Sequence, residues 1–328
     1  MAPLAPSSEL VERFRAGLER LTGAAPEQLG LAVSGGPDSL ALLLLAQAAY
    51  GNKVEAVTID HGLRAGSAEE AEFVGEVCAR LGVPHSILAV EVPAGGEGLQ
   101  GEARRARYRA LRQWAVERGI NALATAHHAD DQAETVLMRL QRGSGLGGLA
   151  GVRAVRREGD LCVVRPLLDW TKAELAGAVA EAGIEAVEDP SNMDMRFDRA
   201  AMRRFLADNP QFEAARLARS ARALAEAGEA IEWTADLLEA ERCSSDGREW
   251  RIDASGLPRE LRRRLLGRAI AAVRRVHGLQ PDWSGSEDVE GLLTALEGGV
   301  TGTRAGVMAS ADGDIWRIRP APPRRQTR

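Results

Sequence analysis

Leu29-Gly30-Leu31-Ala32-Val33 runs directly into Ser34-Gly35-Gly36-Pro37-Asp38-Ser39 and then into Leu40-Ala41-Leu42-Leu43-Leu44-Leu45-Ala46. A short apolar run, a double glycine, a proline and a longer apolar segment describe a strand that turns sharply into a helix. The glycines let backbone N–H groups point inward as an anion-binding concavity. Pro37 suits the first helical turn, where its missing N–H costs nothing. The helix N-terminus brings its positive dipole end to the same place, so a phosphate is favoured there. Asp38 would repel that phosphate unless a Mg²⁺ ion stands between them. The plain alternative is a strand-to-helix turn that merely caps well.

The same alternation continues outward. Apolar runs at Leu29–Val33, Val54–Asp60, Ser86–Glu91, Ala122–Ala126 and Leu161–Arg165 read as strands. Helical patterns fill Ser8–Leu21, Asp38–Tyr50, Ser67–Leu81, Glu102–Arg118, Asp130–Arg142 and Lys172–Ala182. Several strand runs are nearly continuously apolar, as strands buried on both faces must be. The expected fold is α/β, a five-stranded parallel sheet of Rossmann-like type with helices on both faces. After Pro190 the pattern changes. Met202–Glu241, Leu257–Val276 and Glu287–Leu296 read as helices, and Thr301–Ala309 with Asp314–Arg319 as a hairpin across Asp312-Gly313. Pro disfavours helix at the preceding residue, so the domain break is expected at Asp208-Asn209-Pro210. This divides the chain into 1–210 and a mainly helical 211–328 with a short β-like tail. Pro320–Arg328 reads as a disordered end.

Composition narrows the function. The 328 residues are 45% hydrophobic, 27% charged and 4% aromatic, with a net charge of −5, which excludes a histone-like protein but not a local basic face. Lys53 and Lys172 are the only lysines, and neither follows a glycine-rich loop, so a Walker A motif is absent. Cys78, Cys162 and Cys243 form no Cys-x-x-Cys pair, which argues against a thiolate zinc or iron–sulfur site. Met1–Leu10 lacks the apolar core of a signal peptide, and Leu40–Ala46 is too short to span a bilayer. The expectation is a soluble cytoplasmic protein with no membrane association.

A second constellation, Ala126-His127-His128-Ala129-Asp130-Asp131-Gln132-Ala133-Glu134-Thr135, ends the fourth strand and opens a helix. Carboxylates are favoured in a first helical turn, and Asp131 and Glu134 share a helix face. Such a face can hold either Mg²⁺ or a cationic amine. Simple capping is the bland reading, and the spacing fits no standard zinc site.

The glycine loop resembles the pyrophosphate-binding loop of the PP-loop ATP pyrophosphatases, which cleave ATP between its α- and β-phosphates. Together with Gly143-Ser144-Gly145-Leu146-Gly147-Gly148-Leu149, the second constellation closely resembles the tRNA(Ile)-lysidine synthetase branch. Asp60-His61-Gly62-Leu63-Arg64, Glu102-Ala103-Arg104-Arg105-Ala106-Arg107-Tyr108, Arg165-Pro166-Leu167-Leu168, Glu188-Asp189-Pro190-Ser191-Asn192, Arg199 and Arg203 agree with it in order. The resemblance implies ATP-dependent adenylation of the wobble cytidine in the CAU anticodon of isoleucine tRNA. Free lysine then displaces AMP, leaving lysidine.

On this resemblance Ser34, Gly35, Gly36, Pro37, Asp38, Ser39, His61 and Arg64 bind ATP, Asp38 and Asp130 are the Mg²⁺ candidates, and Asp131 and Glu134 hold lysine. His127 or His128 accepts a proton, with no basis for choosing between them. Arg104, Arg107, Arg199 and Arg203 meet the developing phosphate charge. His85 and His277 read as structural, and Trp170, Trp233, Trp250, Trp283 and Trp316 as core anchors.

Three departures stand out. Ala200-Ala201-Met202 replaces an Asn and a basic residue, lysine is nearly absent, and little chain follows Gly298–Pro320, whereas longer members carry another domain. More of the tRNA grip then falls to about 211–299, where Arg216, Arg219, Arg222, Arg259, Arg262, Arg263, Arg264, Arg268, Arg274 and Arg275 suggest a basic face. Glu213, Glu226, Glu229, Glu232 and Glu260 are its candidate neutralisers. The alternatives are a tRNA cytidine thiolase, which the isolated cysteines disfavour, and a non-catalytic nucleotide sensor, which leaves the Asp130–Glu134 cluster without purpose. The sequence leaves the oligomeric state open, a homodimer included.

Overall fold

The computed structural model describes residues 6–60, 66–90, 99–184, 198–279 and 289–322. Parallel pairing joins β1 (Leu29–Ala32), β2 (Val54–Asp60), β3 (His85–Ala89), β4 (Ala122–Thr125) and β6 (Leu161–Val164), and β5 (Val155–Glu158) adds an antiparallel edge. The order is β3-β2-β1-β4-β6-β5, six strands where the sequence suggested five. Val155, Arg156 and Arg157 are exposed, so β5 has no apolar run to announce it. Charges suit a sheet edge, where they discourage pairing with another chain.

Strand residues alternate between two cores. Leu29, Leu31, Ala56, Ala124 and Val164 pack with α1 (Ser8–Thr22), α2 (Pro37–Tyr50), α3 (Ser67–Leu81) and α7 (Lys172–Glu181). Val57, Leu123 and Val163 face the opposite way, onto Tyr108, Leu111 and Trp114 of α4 (Leu99–Glu117). Here α4 comes so close that a Cβ on Gly30 would stand 2.9 Å from the Trp114 ring. Helix α2 is apolar all round because it is covered all round: Leu40 to Ala46 have no exposed surface, with α1 and α7 packed against it.

The chain leaves β1 for β2 on one side, while β4 flanks β1 on the other. This reversal opens a crevice at the carboxyl ends of β1 and β4, the usual ligand position in open α/β sheets. The β1–α2 turn and the turn from β4 into α5 (Ala129–Gln141) form its walls. Beyond lie α6 (Leu146–Leu149), α8 (Asp198–Asp208) and α9 (Ala214–Arg242).

The chain forms two compact units, Met1–Ala225 and Glu226–Arg328, so the border falls inside α9. Pro210 separates α8 from α9. In the second unit, β7 (Cys243–Ser245), β8 (Trp250–Asp253), β9 (Gly302–Arg304), β10 (Val307–Asp312) and β11 (Ile315–Pro320) form an antiparallel sheet ordered β7-β8-β11-β10-β9. The expected hairpin is therefore part of a larger sheet, its first strand broken at Ala305-Gly306 into β9 and β10, and the sheet packs on α10 (Arg259–Val276) and α11 (Glu290–Glu297). No described helix is long and apolar enough to cross a membrane.

The expected basic face is mostly neutralised. Arg264 pairs with Glu232 and Glu260; Arg268 pairs with Glu232, Asp236 and Glu239 at 2.6–2.7 Å. Arg259, Arg262 and Arg263 meet Glu260, Glu290 and Glu297, while Arg274 is buried and donates to the Ala305 carbonyl. Trp233, expected as a core anchor, is 65% exposed.

Replacing Leu43 by Ala removes buried volume from a helix covered on every side. It should cost about 2–5 kcal/mol of stability, measured as a lower urea midpoint at unchanged slope.

Candidate functional site

The β1–α2 turn lines the crevice. Gly35 has φ +87°, which favours glycine, and a Cβ there would press on Val74 Cγ2 at 3.3 Å. Gly36 is the N-cap of α2 and supplies no side-chain acceptor to the first helical amides. The Ser34 amide donates to Ser39 Oγ at 3.1 Å, and Ser39 Oγ donates to the Gly36 carbonyl at 2.9 Å, which closes the turn. An anion is the remaining partner that such a helix start favours.

Facing this turn, His128 is 6% exposed and caps α5. Its Nε2 lies 3.3 Å from Asp38 Oδ2 and 3.6 Å from Asp131 Oδ2, and its Nδ1 lies 3.3 Å from Asp130 Oδ2. Burial alone would pull its pKa down. The hydrogen bonds to Asp130 and Asp38, with the charge of Asp131, prevail and push it up to about 10. The Asp130 amide, 3.2 Å from Nδ1, would be the donor to a neutral ring; three carboxylates favour the cation instead. Asp130 also accepts the Lys172 amide at 2.9 Å, and although burial opposes it, its pKa is held below the usual carboxylate range by His128 and that amide.

His127 is the opposite case. Burial draws its pKa down to about 4; Asp131 opposes the shift, and Arg165, Arg199 and Arg107 add to it. Its Nδ1 is 3.0 Å from Thr125 Oγ1. Two adjacent histidines thus take different charge states at neutral pH.

Glu134, one turn along α5, is 2% exposed. Its Oε1 accepts from Arg203 Nε of α8 at 2.9 Å, whereas Oε2 is buried without a hydrogen-bond partner among the described residues. Burial raises its pKa against the influence of Arg203. Asp38 Oδ1 is likewise buried without a hydrogen-bond partner.

A cavity of about 1350 Å³ unites these groups. Ser34, Gly36, Pro37, Asp38, Ser39, Arg107, His127, His128, Asp130, Asp131, Glu134 and Arg203 all line it. Gly35 shapes the turn from behind. Arg199 is exposed beside the group and acts on His127 and Glu134 by its charge. Arg104 lies on α4, its side chain outside the described part; His61, Arg64 and 188–192 also fall outside the described residues. Arg203, expected to meet phosphate, lines the cavity and pairs with Glu134, the carboxylate expected to meet lysine. Sequence reading missed Thr125 and the functional side of Arg165, a guanidinium only 2% exposed that donates to the Arg153 carbonyl at 2.7 Å. Its signals were an arginine ending an apolar strand and its place in Arg165-Pro166-Leu167-Leu168.

A PP-loop domain model matches residues 8–209. A tRNA(Ile)-lysidine synthase from Zymomonas mobilis is 44% identical over 303 residues, 91% of this chain and 90% of the relative. The chain belongs to the tRNA(Ile)-lysidine synthase family. Members from Novosphingobium aromaticivorans and Methylobacterium nodulans are 43% and 42% identical, covering 98% and 96% of this chain and 97% and 96% of their own lengths. Among solved structures, a U34-tRNA thiolase from Methanococcus maripaludis aligns with a TM-score of 0.54 at 16% identity, over 66% of this chain and 79% of its own. That likeness concerns the fold. Cys78 here is a core residue of α3, its thiol pushed up to about 12 by burial.

The raised pKa of His128 makes a pH prediction. Its contribution to stability is complete below its unfolded value near 6.5 and is lost as pH rises through about 10. Urea midpoints should therefore fall between those limits, and His128→Gln should be less stable at neutral pH and show a flatter profile there.

Proposed function

We propose that this chain ligates free lysine to C2 of the wobble cytidine in the CAU anticodon of isoleucine tRNA, through an adenylated intermediate. The observation that carries the reading is the pair of buried, partnerless carboxylate oxygens, Asp38 Oδ1 and Glu134 Oε2, on residues lining one cavity beside an anion-binding turn. One suits a hard cation on phosphate and the other suits an ammonium.

In the first step the cytidine C2 oxygen attacks the α-phosphorus of ATP and pyrophosphate leaves. The amides of Gly35, Gly36, Asp38 and Ser39 bind the departing phosphates, and the His128 cation offsets part of the charge of Asp38, Asp130 and Asp131. Asp38 Oδ1 fits one carboxylate ligand of Mg²⁺, with phosphate oxygens and water as the others. The ion would neutralise phosphate charge. Asp130 is engaged by His128 and the Lys172 amide, which leaves Asp38 the better candidate.

In the second step the lysine amine attacks C2, the C2–O bond breaks and AMP leaves. Asp131 and Glu134 Oε2 receive the ammonium. An amine attacks only after losing a proton, and neither histidine is suited to take it, since His128 already carries one and His127 is weakly basic at a pKa of about 4. Glu134, raised by burial above the usual carboxylate range, is the acceptor. Arg203 fixes its other oxygen, and Arg107 and Arg199 face the AMP charge. The reaction belongs to the cytoplasm.

Incubation with Mg-ATP, labelled lysine and this tRNA should give a lysine adduct at the wobble cytidine by mass spectrometry. An unmodified cytidine with ATP still bound would sink the substrate assignment. Glu134→Gln should raise the KM for lysine and slow the second step on the order of 100-fold or more, while adenylated tRNA still forms. Loss of adenylation in that variant would make Glu134 a phosphate-side group instead.

A further inference from the structure

The cavity extends well past the catalytic carboxylates. Its far flank is apolar, lined by Val179, Ile184, Leu206, Ala207, Pro210 and Phe212. At that end Phe205 and Phe212 are 39% and 40% exposed, with ring centroids 5.7 Å apart at an interplanar angle of 43°. The whole chain contains five phenylalanines and is 4% aromatic, so two rings left at the surface against each other are unlike its use of Phe14, which is fully buried.

The turn that carries the rings is tied down. Asn209 Nδ2 donates to the Phe205 carbonyl at 2.8 Å, and the Phe212 amide donates to the Asn209 carbonyl at 3.0 Å. Pro210 lies inside this turn, and Gln211 Nε2 donates to Asn209 Oδ1 at 3.2 Å. A turn ordered before binding loses little backbone freedom when a flat ligand covers its rings.

Charge around the pair suits a polyanion. Asp208 and Glu213 are offset by Arg204 at 3.8 Å and Arg216 at 2.8 Å, and Arg219 is exposed with no ion pair among the described residues. The opposite end of the cavity, lined by Thr58, Ile59 and Ser67, borders the β2 side of the phosphate turn and offers room to the ATP base. The α8 end is then left to the acceptor.

Resting on the proposed tRNA reaction, we propose that Phe205 and Phe212 form a stacking platform for an unpaired nucleobase of the anticodon loop next to the target cytidine. Bases in single-stranded loops are open to aromatic stacking, which tolerates different base identities. One base parked on this platform would leave its neighbour free to reach Glu134 through the same cavity.

The test uses the full chain and an anticodon stem-loop carrying 2-aminopurine beside the wobble position. Wild-type protein should quench its fluorescence. Phe212→Ala and Phe205→Ala should each weaken RNA binding about 5- to 150-fold and relieve the quench, with the KM values for ATP and lysine unmoved. Phe212→Leu, which keeps apolar bulk and a wild-type Tm, should weaken RNA binding equally, and Phe212→Trp should restore it. Unchanged RNA affinity in well-folded Phe212→Leu, or a rise in the KM for ATP instead, would overturn the platform. Failure of the wild type to modify tRNA would count against the reaction, while its quenching and affinity would still report on stacking.

Discussion

The charge on His128 is what lets three aspartates share the crevice between β1 and β4. Carboxylates gathered this closely raise one another's pKa and repel any phosphate. A cation among them, 3.3 Å from two of the three, offsets part of that charge without closing the space above. The sheet makes the meeting possible: β4 lies beside β1, so the turns leaving these two strands face each other although about 90 residues separate them. Asp38 belongs to one turn and Asp130 and Asp131 to the other. The imidazolium therefore joins two local structures that each read as an ordinary helix start.

That division explains what the sequence could reveal. Strands β1, β2, β4 and β6 are buried on both faces, and their apolar runs are visible in one dimension. Strand β5 and the pair β7 and β8 are short and polar enough to pass for loop. Gly35 and Pro37 state their conformational roles by residue type alone. The charge states of His127 and His128 do not, because they depend on Arg165 after β6, Arg199 on α8 and Asp38 on α2. The arginines of α10 show the same limit. Helical spacing reveals which residues share a face, whereas Glu232 and Glu239, which neutralise that face, lie about 30 residues earlier on α9.

The fold likeness to a U34-tRNA thiolase places two chemistries on one kind of sheet. Chemistry on such a scaffold is set by the groups at the strand ends. Here those groups are carboxylates, imidazoles and guanidiniums, with Cys78 enclosed in the core.

Helix α2 also shapes how the chain must be made. Its seven consecutive buried residues, Leu40 to Ala46, depend on α7 for part of their cover, and α7 begins about 120 residues later. At roughly 5–20 residues per second, a ribosome needs about 6–24 s to supply that partner. During that interval the most apolar segment of the protein has no native cover on its α7 side. The packing that anchors the β1–α2 turn in the finished protein is thus among the last parts of the first unit's core to be completed.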